Sequence, residues 1–155
     1  MITEARLGAY AWIERDGMVL LTLWQGAPER GIEPHWGLPG GGVEWNEQIH
    51  EATIREVREE TGFDVEPAEL LGVTVIHLTA DDRIAPGDGP LRLVRFLSRA
   101  TITGGQLTDE VGGSTLRAAW FSRGELAALP TEQVLDWALG LVDTGPTPGL
   151  PSPTR

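Results

Sequence analysis

Two apolar runs rich in strand-forming residues, 7–13 and 18–24, open the chain, and the polar Glu14-Arg15-Asp16-Gly17 between them carries the Asp-Gly pair that turns a hairpin. Residues 70–79 and 91–103 read as longer strands and 118–121 as a short one. Helical spacing is clearest over 47–61, which contains neither Gly nor Pro; Asn46 is the expected N-cap and Gly62 the expected residue past the C-terminus. Within it Ile54 and Val57 share a side with His50 and Thr53. Ser122 caps a predicted helix over 123–129 and Pro130 ends it. Thr131 then caps another through Val142, with Val134, Leu135, Ala138, Leu139 and Leu141 as its apolar face. Strands mixed with helices in this order predict an α/β (α+β) fold without selecting its arrangement. Residues 1–142 read as one domain, and the Pro-, Gly- and Thr-rich stretch 143–155 as a flexible tail.

Helix 47–61 also carries chemistry. Glu56, Glu59 and Glu60 fall at i, i+3, i+4 and bunch on one side, a spacing that costs an isolated helix a few tenths of a kcal/mol per like-charged pair. A solvated acidic face is the bland account. The alternative is a cation, and carboxylate oxygens suit Mg²⁺ or Mn²⁺; Mg²⁺ takes one or two protein carboxylates and leaves its other positions to water and phosphate.

Composition narrows the classes. A chain of 155 residues can bury a full core without staples, and with no cysteine it has neither disulfides nor thiolate metal sites, which suits a reducing cytosol. No basic segment leads into an apolar core at the start and no apolar run reaches membrane-spanning length, so a soluble cytoplasmic protein is expected. The net charge of −11 argues against a nucleic-acid polymer or a membrane as partner, although bound cations would still admit a nucleotide locally.

Gly41, five residues, Glu47, seven residues, Arg55-Glu56-Val57, one residue, Glu59-Glu60, one residue and Gly62-Phe63 together resemble the complete signature of the Nudix hydrolase family, with Trp36-Gly37-Leu38-Pro39-Gly40 similar to its lead-in. The resemblance implies a mixed β-sheet sandwiched between α-helices. It also implies an enzyme that cleaves a nucleoside diphosphate linked to another moiety, by water attack on phosphorus with Mg²⁺ or Mn²⁺ held by Glu56, Glu60 and Glu59. By the same similarity the Gly40 carbonyl is a further metal ligand, Arg55 positions a carboxylate and Glu47 stabilises the loop. The competing readings are a non-catalytic Nudix-fold nucleotide-binding or regulatory module and an acidic calcium binder, the latter weakened by the absence of EF-hand ligand spacing.

Other residues keep two readings each. Glu110, beside Asp109 in the loop before the last strand, is by resemblance to other Nudix hydrolases a candidate general base or metal ligand, against an ordinary loop carboxylate, and Glu44 is an accessory ligand or a loop carboxylate. Trp24 and Trp45 stack on a base or simply pack; His35 and His77 reach substrate only if their loops converge, and His50 belongs to the helix surface or to packing. Segment 80–90 is a gate or a plain connection. The residues after the signature carry no marker for ADP-ribose, dinucleoside polyphosphates or NADH, so the nucleotide stays open, as does a homodimer.

Overall fold

The computed structural model describes residues 3–131 and 133–144. Its strands form two four-stranded sheets. In the first, β1 (Glu4–Trp12) lies parallel to β7 (Leu91–Gly105), with β5 (Gly40–Gly42) antiparallel on its other side and β6 (Phe63–Leu78) antiparallel to β7 at the far edge. The second is antiparallel: β3 (Met18–Trp24) pairs with β2 (Glu14–Arg15), β4 (His35–Gly37) and β8 (Thr115–Ser122).

Alternation along the strands divides the interior into two cores. Trp12, Val19, Leu21, Leu71 and Leu97 face one side, where Val134, Leu135, Ala138 and Leu141 of α3 (Gln133–Thr144) cover them. Ala11, Ile13, Leu20, Val65 and Ala100 face the other, against Val57 of α1 (Ile49–Thr61). The result is the expected layering of helices on both faces of a β layer.

Several element boundaries differ from the sequence reading. The Asp16-Gly17 turn forms, with both residues at positive φ, but the runs it joins part company: β1 enters the first sheet, and the hairpin partner of β3 is the two-residue β2. Strand β6 begins at Phe63 instead of residue 70, because register shifts around Pro67 and Leu70 let an irregular polar stretch remain paired on one side, and an edge strand tolerates Pro67. Strand β8 starts three residues early at Thr115. Ser122 does cap the next helix, accepting the Glu125 amide at 3.3 Å, but α2 is only Arg123–Leu126. Thr131 bridges Trp36, and α3 starts at Gln133 and continues two residues beyond Val142; residues 145–155, expected as tail, lie outside the described residues.

Candidate active site

Helix α1 starts later than expected. Gln48 is the N-cap, its amide donating to the Glu51 carboxylate at 2.7 Å, and Asn46 lies in the preceding turn. The reason is that Glu47 is used elsewhere: it accepts the Glu44 amide at 3.0 Å and a two-pronged pair of hydrogen bonds from Arg55, at 2.7 and 2.9 Å. Gly62, left-handed at φ 80°, closes the helix as expected. Ala52, Thr53 and Val57 anchor the inner face, whereas His50 is exposed and does not share it.

Arg55 ties the loop to the helix. Besides Glu47 it donates to the Gly42 carbonyl at 2.9 Å, to Glu56 at 2.9 Å and to the more distant Glu59 at 3.3 Å. Those bonds hold the Glu47 carboxyl down to about 2, while the carboxylates drive the Arg55 guanidinium still higher. Glu44 is a looser neighbour, 3.9 Å from Arg55 and mostly exposed.

The three helix glutamates do not share one environment. Glu59 is half-exposed on the solvent side, Glu56 is largely covered and Glu60 is 9% exposed. Burial is the main cause raising the carboxyls of both Glu56 and Glu60, the latter well above the usual range. The negative charge of Glu110 raises both further, together with Glu59 at Glu56 and with Glu56 at Glu60. Glu60 accepts the Gly40 amide at 3.0 Å and a bond from the Thr115 side chain. Glu110 folds back to accept the Thr115 amide at 2.9 Å, while neighbouring Asp109 accepts the Ala118 amide at 3.2 Å. One buried and one largely covered carboxylate, both raised by burial and by neighbouring negative charge, make a hard-oxygen donor set that fits a divalent cation. Among the described residues no three His, Asp or Glu side chains gather tightly enough to enclose an ion, so the expected convergence of Glu56, Glu59 and Glu60 is not reached. A site of one or two carboxylates completed by water and phosphate needs no such cage.

Glycine lets backbone and carboxylate approach. Gly40 has φ 147°, and a Cβ there would lie 2.2 Å from the Ala9 carbonyl oxygen; a Cβ on Gly41 would lie 2.7 Å from the Glu56 carboxylate.

Glu60 and Gly40 line a cleft of about 680 Å³ between the two sheets, with Trp24, His35, Ile32, Ile84 and Leu93 among its other walls. Trp24 and His35 meet edge to face, ring centroids 5.0 Å apart. So His35 and Trp24 converge on the cleft, but neither His77 nor the fully exposed Trp45 is part of its lining. Ile84 comes from segment 80–90, read from the sequence as a gate or a plain connection, whereas nothing in the sequence distinguishes the cleft walls Ile32, Leu93 and Thr115 from core or loop residues.

A family model described as the NUDIX domain matches residues 4–138. The chain belongs to the Nudix family. Among curated Nudix relatives, the 8-oxo-dGDP phosphatase NUDT18 of Homo sapiens is 41% identical over 120 residues, covering 76% of this chain and 31% of that protein. The ADP-ribose pyrophosphatase of Methanocaldococcus jannaschii is 32% identical over 117 residues, covering 76% and 62%. The chain thus spans about a third of the length of the first curated relatives. A solved structure, the MutT NUDIX hydrolase from Burkholderia pseudomallei, is 30% identical with a TM-score of 0.65, over 92% of this chain and 99% of that one. Its Nudix fold and this one therefore coincide over nearly their whole lengths. No helix among the described residues is long and apolar enough to cross a membrane.

Proposed function

We propose that this Nudix protein is a metal-dependent pyrophosphohydrolase that cleaves a nucleoside diphosphate linked to a second moiety. The observation that carries the reading is the nearly buried Glu60 carboxylate at the wall of an open cleft, repelled by Glu56 and Glu110 and lacking a cationic partner among its described contacts. Glu56 and Glu60 would hold Mg²⁺ or Mn²⁺, with Glu59 and the Gly40 carbonyl as additional ligands. The cation, when bound, supplies charge neutralisation on the phosphate oxygens. In the cleavage, a water oxygen bonds to phosphorus, the bridging P–O bond breaks and the departing phosphate keeps its electron pair. Glu110 is the proposed acceptor of the water proton. Arg55 acts by holding Glu56 and the 42–47 loop, and the Trp24–His35 pair offers the nucleobase an aromatic wall.

The absence of cysteine supports a cytoplasmic setting, and the acidic surface supports a small nucleotide over a polymer. We place the end of the Nudix domain with α3. The test is a screen of 8-oxo-dGDP, ADP-ribose, UDP-glucose and the deoxynucleoside triphosphates with Mg²⁺ or Mn²⁺. Turnover of at least one, abolished by chelator and restored by metal, is expected; no turnover of any, or full turnover after verified metal removal, sinks the proposal.

A further inference from the structure

Segment 79–90 is cross-braced. The Arg83 side chain is 2% exposed and lies inside its own loop, donating to the carbonyls of Ala85 at 3.0 Å, Gly89 at 2.8 Å and Pro86 at 2.5 Å, and to the Glu4 carboxylate on β1 at 2.7 Å. Gly87 lies so close to the guanidinium that a Cβ there would meet Arg83 Nη2 at 2.4 Å. Residues 26–33 are closed by the Ala27–Ile32 bridge, and Arg30 reaches from this loop to the carbonyls of Arg83, at 2.5 Å, and Asp81. The residues beside these two arginines, Ile32 and Ile84, are walls of the same cleft.

Resting on the pyrophosphohydrolase reading, we propose that Arg30 is a positioning residue for substrate binding: it clasps the 79–90 segment to the 26–33 loop and so fixes Ile84 in the cleft wall it shares with Ile32. Segment 79–90 is then a held wall of the nucleotide cleft. Its partners explain the choice of arginine, since one planar fork can donate to two carbonyl oxygens at once, which a lysine ammonium does with less geometric constraint. With the clasp removed, Ile84 occupies its place only part of the time, and apparent affinity falls by that fraction while the bound complex reacts as before.

The test uses the full chain and whichever of the four nucleotide types above is turned over. Arg30→Ala should raise KM about tenfold with kcat within about threefold, and should speed amide exchange in 79–90; Arg30→Lys should recover part of both. Because Arg30 acts through the wall, Arg30→Ala combined with Ile84→Ala should have a KM close to the larger single effect instead of the product of the two. Unchanged exchange in 79–90, an unchanged KM, a loss confined to kcat, or multiplicative effects in the double variant each overturn the clasp while leaving the enzyme reading intact. A wild-type chain that neither binds nor cleaves any of the nucleotides overturns the enzyme reading, and this inference with it.

Discussion

Arg55→Met tests how the site is held together, because methionine keeps the aliphatic stem while removing every bond of the guanidinium. The Glu47 carboxyl, 11% exposed, is held at about 2 in place of the ordinary 4.5 chiefly by that guanidinium. At about 1.4 kcal/mol per pH unit, the difference is worth roughly 3 kcal/mol of stability at neutral pH, an upper value given the residual solvent contact. The sign follows from linkage: a carboxyl depressed in the folded state stabilises fully above its unfolded value and loses that contribution as pH falls from about 4.5 toward 2. Urea unfolding of wild type and variant should therefore differ by about 2–3 kcal/mol at pH 7, equivalent to roughly 4–12 °C in Tm, and by about half as much or less at pH 3. A difference below about 0.5 kcal/mol at pH 7, or one that does not shrink toward pH 3, refutes the electrostatic account. Turnover should fall as well, since Glu56 loses its 2.9 Å partner.

Gly41→Ala places a methyl group where the Glu56 carboxylate lies, and because only the end of a flexible side chain must yield, the fold should survive with a Tm within a few degrees while turnover drops about a hundredfold; a fully active variant disproves the close approach. Glu56→Gln and Glu60→Gln should each lower turnover at least about a hundredfold without unfolding the protein, checked by steady-state rates beside circular dichroism, and near-normal rates strike that residue from the site. Glu110→Gln should cut turnover about 10²- to 10⁴-fold with Mn²⁺ affinity little changed if Glu110 accepts the proton. A rate within about twofold of wild type reduces Glu110 to its observed bond with the Thr115 amide and moves the search for the base to Glu56 or Asp109.

Local regularities in the sequence were enough for the helix that carries the glutamates, for its Gly62 terminator, the Asp16-Gly17 turn and the Ser122 cap, because each depends on backbone preferences within a few residues. The family, too, was legible from the spacing between Gly41 and Phe63, where every position has a chemical or conformational reason to be fixed. What lay beyond reach were contacts between segments distant along the chain. That β1 leaves its hairpin partner to lie parallel to β7 depends on which apolar faces find cover, and alternation is identical for either pairing. Helical spacing put Glu56, Glu59 and Glu60 on one side, but their different burial arises from the loop, from β8 and from Arg55, none of which leaves a periodic trace. The cleft itself is assembled from six strands, α1 and the loops between them, and the bracing of its rim by Arg30 and Arg83 uses backbone carbonyls, which every residue has and no sequence pattern marks.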